Sequence, residues 1–330
     1  MSGLLPWQAA DWAQLRAQFD RLPHAILLTG ATGTGKEHFA QYLVQALLCE
    51  APAADHTPCG RCEGCRWLAQ GTHPDFRHLT PLVEEVEGKA AVRKLEVIKI
   101  DAVRAVIEFA FLSSHRAGRR VVLVEPAEAM NLNAANALLK VLEEPPEGVV
   151  FVLITHRLQQ LLPTLRSRCR IVPLAPPSTE AALAWLATQG ETEARAELAH
   201  AGGAPFALTP IALRPLRQQY VATLLQPSMT AVLDTAAAVD TAKLALAQPV
   251  DWLQRWLHDL TAVRMGAAAR FFPEQHAALA ALAARLDLSK VAAFHDQLNQ
   301  LARFGHHTLS VRMQVEHLLL AYQKLFVAGR

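Results

Sequence analysis

Leu27-Leu28-Thr29-Gly30-Ala31-Thr32-Gly33-Thr34-Gly35-Lys36-Glu37 is the stretch on which the fold of this chain turns. The apolar run from His24 to Leu28 predicts a buried strand. Three glycines then interrupt the pattern, and Phe39, Tyr42, Leu43, Ala46 and Leu47 follow at helical spacing. Strand, glycine-rich turn and helix are the layout of a phosphate-binding loop. Glycines let successive backbone N–H groups face one point, and the new helix adds its positive end there. Gly30, Gly33, Gly35 and Lys36 are therefore candidate nucleotide-binding residues, with Lys36 reaching the outer phosphates. Such loops end in Lys-Ser or Lys-Thr, whose hydroxyl holds magnesium. This one ends in Lys36-Glu37 and puts a negative charge where phosphate would sit.

Outward from the loop, Trp7, Trp12, Leu15 and Phe19 predict an amphipathic helix over 7–20. On the other side the loop helix runs to about Cys49, and a turn-rich segment from Ala51 to Pro58 opens an insertion. Four of the chain's five cysteines lie there: Cys49, Cys59, Cys62 and Cys65. Pairs separated by two residues let sulfurs converge on one tetrahedral ion, and Cys49 closes the shell from the helix end. The expected cofactor is structural Zn2+, because four sulfurs leave no position for water. His56 and His73 are not needed as ligands and are expected at the surface.

Short β-like runs and a charged loop (Glu84 to Lys94) precede a helix N-capped by Asp101. Arg119 to Glu125 predicts a second buried strand with an acid at its end. Glu125 reads equally well as a magnesium-linked carboxylate or as a strand-end charge in solvent. Pro126 follows it and cannot act as a base. Asn131 to Glu144 predicts a helix stopped by Pro145-Pro146, and Val149 to Ile154 a third strand ending at Thr155. Leu161 to Arg170 reads as a basic turn before a strand through Leu174. Beyond Ala175-Pro176-Pro177-Ser178 the chain is Ala/Leu-rich with helical periodicity. A small block spans Thr179 to Leu208, with Gly202-Gly203-Ala204-Pro205 as a turn before its last helix. About five helices follow, for example Thr230–Ala247, Val250–Met265 and Leu309–Phe326.

The 330 residues are 52% hydrophobic and 19% charged, with a net charge of +2. That composition accommodates two or three cores, excludes broad disorder and does not predict a nucleic-acid coat from charge alone. No apolar run is long enough to span a bilayer and no secretory leader is read at the start, so a cytoplasmic protein without a membrane partner is expected.

Together these runs resemble the bacterial clamp-loader subunits of DNA polymerase III. The resemblance rests on Gly-x4-Gly-Lys, the four-cysteine module, Gly71-Thr72-His73-Pro74-Asp75, the run Asn136-Ala137-Leu138-Leu139-Lys140-x-Leu142-Glu143-Glu144-Pro145-Pro146, and Ser167-Arg168-Cys169, in that family's order over 24–172. The C-terminal half is similar only in length and helical character. The resemblance implies an α/β P-loop domain of AAA+, RecA-like type (1–174) carrying the zinc module (49–65). A small helical lid (175–209) and an all-α collar (210–330) would follow. It implies partnership with motor (gamma/tau) and delta subunits in an open ring of five. That ring would contact the sliding clamp and primer-template DNA within the DNA polymerase III holoenzyme, a nucleotidyltransferase. Arg168 maps to the arginine that reaches a neighbouring subunit's ATP and stabilises charge on the γ-phosphate in trans. Thr155 maps to a phosphate-sensing position, and is read here as a hydroxyl that stabilises its own turn. Asn136 and Lys140 face a neighbour, DNA or solvent.

The family contains ATP-hydrolysing motors and a subunit that donates the arginine but hydrolyses little or nothing. Glu37, Pro126 and the turn Gly203-Ala204-Pro205-Phe206-Ala207-Leu208, which lacks the motors' lid arginine, remove three parts of phosphoryl transfer. The expected role is the non-hydrolysing one, with the motor as the alternative. The loop glycines and Lys36 remain, so a weak nucleotide site stays open.

Overall fold

The computed structural model describes residues 3–88, 91–115, 118–304 and 310–326. Two compact units emerge. One comprises Met1–Glu85, Lys94–Trp185 and Ala204–Ala207, and the other Val86–Arg93, Leu186–Gly203 and Leu208–Arg330.

The first unit is built on five strands: β1 (Ala25–Thr29), β2 (Phe76–Leu79), β5 (Arg120–Val124), β6 (Val149–Thr155) and β7 (Arg170–Pro173). They form one sheet in the order β2-β5-β6-β1-β7, and every pairing is parallel. β1, β5 and β6 are buried along their whole length, as continuous apolar runs in a sheet covered on both faces should be. The two-residue period divides the core. Ile26, Leu28, Val121, Leu123, Val152 and Ile154 pack under α1 (Ala9–Arg16) and α2 (Lys36–Leu48). Leu27, Val122, Val124, Phe151 and Leu153 pack under α4 (Ile100–Phe111), α5 (Leu132–Glu143) and α6 (Pro163–Arg168). In chain order α3 (Glu63–Ala69) precedes β2, and β3 (Leu82–Gly88) and β4 (Ala91–Val97) pair in a two-stranded sheet of their own.

Several local expectations are corrected. The segment read as a charged loop, Glu84 to Lys94, is largely strand; residues 89 and 90 lie outside the described ones. Asp101 is not the N-cap of α4. Lys99 is, with φ −83° and ψ 160°, and Asp101 sits in the first turn. The basic turn before β7 contains α6, opened by Pro163, whose fixed φ suits a first helical position. The predicted helix over 7–20 is divided into two short 3-10 turns around α1.

In the second unit, α8 (Ala194–His200) follows α7 (Thr179–Thr188), which begins in the first unit. No helix follows at once after Gly203: residues 204–210 are non-helical. Among the described residues six helices follow where about five were expected: α9 (Arg214–Leu225), α10 (Met229–Thr241), α11 (Ala247–Arg264), α12 (His276–Ala283), α13 (Leu288–Phe304) and α14 (Val311–Gln323). Their core is aromatic-centred, with the indole N–H of buried Trp256 donating to Tyr322 Oη at 2.9 Å. Buried Asp259 is fully engaged, accepting from the backbone N–H groups of Arg270, Phe271 and Phe272 at 2.9, 2.7 and 2.7 Å. Arg217 and Glu197, 3% and 1% exposed, form a two-point pair, and Arg217 also donates to Thr209 Oγ1 at 2.6 Å. Arg214 grips Glu191 at 2.9 and 2.6 Å. Among the described residues no helix is long and apolar enough to cross a membrane.

Candidate functional site

Parallel strands bring β1, β5 and β6 to one carboxyl edge of the sheet. There stand the glycine-rich loop after Thr29, Glu125 after β5 and Thr155 at the end of β6. This is where ligands bind in open α/β sheets. The backbone has the expected cradle conformation, with φ +76° at Gly33 and +90° at Gly35, values that favour residues without Cβ.

The chain's own groups fill the cradle. Lys36 is fully buried, and its Nζ donates to the Ala31 carbonyl at 2.6 Å. Thr34 Oγ1 donates to the same carbonyl at 2.9 Å. Burial pushes the Lys36 pKa down, against the pull of Glu37, Glu128 and Glu125. From the far end of the unit, Phe206 N–H donates to the Gly33 carbonyl at 3.0 Å. Ala207 lies so close that a Cβ on Gly33 would stand 2.6 Å from its methyl carbon. The Phe206 ring packs on His38 at 4.5 Å and on Trp185 at 4.7 Å, and Trp185 meets Trp7 edge-on at 6.0 Å. The N-terminal segment closes the remaining side: Trp7 Nε1–H donates to Thr34 O at 3.0 Å and Gln8 Nε2–H to Gly35 O at 2.6 Å.

The surrounding acids have partners of their own. Glu37, in place of the magnesium-binding hydroxyl, faces His156 Nε2 at 3.8 Å. Burial, with Lys36 nearby, lowers the His156 pKa. Glu125 Oε2 pairs with His78 Nε2 at 3.0 Å. Glu128 accepts from His156 N–H at 2.9 Å, and the fully buried Thr155 hydroxyl accepts from Arg157 N–H at 3.2 Å, closing its own turn.

Cys49 caps α2, Cys59 lies in the following loop, Cys62 caps α3 and Cys65 sits in its first turn. The four sulfurs lie within 4.8 Å of one another, and Cys49 and Cys62 are 3.9 Å apart. A tetrahedral ion with metal–sulfur bonds of about 2.3 Å requires sulfurs roughly 3.8 Å apart. Backbone N–H groups of Cys59, Cys62 and Cys65 donate to the sulfurs of Cys49, Cys59 and Cys62 at 3.2, 3.4 and 3.4 Å, which favours thiolates. Backbone donors from Arg61 and Cys62 bring Cys59 down to about 6, whereas burial pushes Cys49 and Cys65 up. The donor set could hold one metal ion. His73 is not at the surface: it is 4% exposed, its Nδ1 accepts from Asp75 N–H at 3.1 Å, and its ring meets Trp67 edge-on. His56 is half-buried and stacks on Phe19.

Arg168 is brought to neither group. It ends α6, just before β7, and is anchored by buried Leu165 and half-buried Cys169. β7 lies beside β1 with Ile26 opposite Arg170 and Thr29 opposite Pro173. Arg168 thus sits at the amino edge of the sheet, opposite the glycine-rich loop. Its Nη1 donates to Thr164 O at 3.1 Å and Ser167 Oγ at 3.4 Å, and its Nη2 pairs with Glu143. Asn136 and Lys140 are exposed on α5, beside a groove shared with Arg104, Ile107 and Phe111 of α4.

Residues 8–178 match the family described as DNA polymerase III, delta subunit, and residues 215–325 match that subunit's C-terminal family. The chain belongs to the DNA polymerase III delta-subunit family. A relative named DNA polymerase III subunit delta', from Pseudomonas aeruginosa, is 44% identical over 225 residues, 66% of this chain and 64% of that one. The protein of the same name from Escherichia coli is 38% identical over 207 residues, 61% and 59%. The matched stretches thus span under two thirds of the relatives' length. Among solved structures, a DNA polymerase III gamma subunit-related protein from Thermotoga maritima superposes with a TM-score of 0.50 at 18% identity. It covers 96% of this chain and 99% of that one. That likeness speaks to fold alone. The sequence pointed to the loop glycines, Lys36 and the four clustered cysteines, but it did not reveal Phe206, Ala207, Trp7 and Gln8 as neighbours of the loop. Their only advance signal was the lid turn without its arginine.

Proposed function

We propose that this chain is the non-hydrolysing subunit of a DNA polymerase III clamp loader. In this reading it assembles with motor (gamma/tau) and delta subunits, and the assembled ring places the sliding clamp on primer-template DNA. The observation that carries the reading is the filled cradle: Lys36 turned onto Ala31, with Phe206 and Ala207 seated on Gly33. Glu37 paired with His156 supports it, since a carboxylate in place of the hydroxyl repels phosphate and offers magnesium no neutral ligand. Gly30, Gly33, Gly35 and Lys36 then serve as a structural seat for the lid turn.

Arg168 is the group this chain contributes to chemistry. A strand rises roughly 3.3 Å per residue, so the five residues of β1 alone put about 16 Å between the loop edge and the Arg168 edge. Arg168 cannot serve its own loop across that span and acts on a neighbour's nucleotide. There its planar fork stabilises charge developing on the γ-phosphate. The Cys49, Cys59, Cys62 and Cys65 shell holds a structural zinc ion, which needs no open position. The domain division 1–174, 175–209 and 210–330 accompanies this assignment.

The test is ATP turnover by the isolated chain and by the loader reconstituted with motor and delta subunits. The chain alone should not turn over ATP, and Arg168→Ala should still assemble while clamp- and DNA-stimulated hydrolysis falls. Steady turnover by the isolated chain that disappears with Lys36→Ala would establish the motor reading instead.

A further inference from the structure

Glu143 is the last residue of α5, inside the Leu142-Glu143-Glu144-Pro145-Pro146 run, and the assembly role assigns it nothing. Its carboxylate pairs with Arg168 Nη2 while Nη1 is held by Thr164 O and Ser167 Oγ. The guanidinium thus has partners from α5 and α6, yet both side chains stay open to solvent, Arg168 at 34% and Glu143 at 49%.

We propose that Glu143 is the rest position of Arg168: it holds the guanidinium on this chain until the γ-phosphate of a neighbour's nucleotide takes its place. This rests on the trans-acting role of Arg168 proposed above. Carboxylate and phosphate compete for the same planar fork, and phosphate brings more charge and more acceptor oxygens. The two anions repel each other at one guanidinium, so the carboxylate gives way as the phosphate arrives. An exposed ion pair is weak enough to be exchanged, but it still reduces the fraction of Arg168 free to engage. Glu143 therefore tunes nucleotide affinity at the neighbour's site rather than the chemical step.

The experiment uses the reconstituted loader with wild type, Glu143→Gln, Arg168→Ala and the double variant, and reads KM and kcat for ATP. Glu143→Gln keeps shape and removes charge. It should lower the KM of the one site that Arg168 serves, the component of ATP turnover lost in Arg168→Ala, by about two- to fivefold, the range of an exposed ion pair, with kcat and Tm unchanged. In the Arg168→Ala background the same substitution should change nothing, because the two side chains act as one unit. A kcat loss in Glu143→Gln would mean that the carboxylate orients the finger during catalysis, and would overturn the proposal. So would an unchanged or raised KM, or an equal effect without Arg168. If Arg168→Ala itself leaves hydrolysis unaltered, the finger assignment fails. If it lowers hydrolysis while Glu143→Gln is silent, only the rest position fails.

Discussion

Gly33→Ala probes the filled cradle directly. Gly33 has φ +76°, and its added Cβ would stand 2.6 Å from Ala207 Cβ and 2.8 Å from Ala207 N. Non-bonded carbons prefer about 3.5–4.0 Å, so the overlap approaches 1 Å. No rotamer relieves it, because the obstacles are backbone and a β-carbon. Either the 204–207 turn lifts or the loop shifts. Left-handed backbone costs an alanine roughly 1–2 kcal/mol, and overpacking adds about 1–3 kcal/mol. Gly71→Ala separates the two contributions. Gly71 has nearly the same φ, +69°, with nothing within 4 Å of its added Cβ. Full-length variants would be compared by urea and thermal unfolding. Gly33→Ala should be less stable than Gly71→Ala by about 1–3 kcal/mol, some 3–10 °C in Tm for a domain of this size. Equal stability would refute the seating of the lid turn on the loop. Mg-ATP in the same assay adds a second reading. A ligand at 100 times its Kd adds about 2.7 kcal/mol, so a rise of several degrees would mean that the wild-type loop opens to nucleotide. No rise is expected.

Other perturbations reach the remaining parts of the molecule. Arg217→Ala removes the two-point partner of the 1%-exposed Glu197 and leaves it only Arg214 Nε at 3.5 Å, and should cost up to about 3 kcal/mol in chemical denaturation. Replacing the pair together, as Arg217→Met with Glu197→Leu, should cost much less; equal losses would show that packing rather than charge is at stake. Natively purified protein should contain one zinc per chain by elemental analysis, and Cys62→Ala should lose it. Absence of zinc from the wild type would remove the metal assignment.

The legible parts of the fold were those written in local pattern. β1, β5 and β6 are short apolar runs with turn residues at both ends, and the glycines and close cysteines carry spacing that chemistry explains. α6 was missed because Pro163-Thr164-Leu165-Arg166-Ser167-Arg168 offers one apolar residue to a pattern search, and that residue, Leu165, is buried at 1%. The parts of β3 and β4 within Glu84 to Lys94 read as a charged loop because Glu84-Glu85 and Arg93-Lys94 break the alternation expected of strands. A lone histidine among turn residues reads as surface, and no periodicity marks His73 as buried, although its neighbours are local: the Trp67 ring and the backbone of its own turn. The contact on which the proposed reading rests joins Gly33 to Phe206 and Ala207, more than 170 residues away. No periodicity encodes such a distance. The sequence signalled only that an arginine was missing from the turn.

On the proposed reading, the two edges of the sheet explain how chemistry can lapse at one while the other still serves a neighbour. At the carboxyl edge, each group that could handle phosphate has an internal partner: Lys36 has Ala31, Glu37 has His156, Glu125 has His78. Those contacts stabilise the unit, so a substitution such as Ser to Glu at 37 would be tolerated once nucleotide is not required. At the amino edge, Arg168 has partners that release it at small cost, a carbonyl, a hydroxyl and an exposed carboxylate. On the proposed reading, a chain with one closed and one open edge donates to a neighbour without receiving. Head-to-tail contacts are heterologous, and a subunit that only donates marks the place where a ring of hydrolysing sites is interrupted. In an assembly with one such chain, Arg168→Ala would then silence one site. Total hydrolysis should fall by that site's share if the sites act independently, and further if they fire in concert. The size of the loss in the reconstituted loader therefore measures coupling between sites, which removal of a motor's own catalytic residues would confound with the loss of its nucleotide.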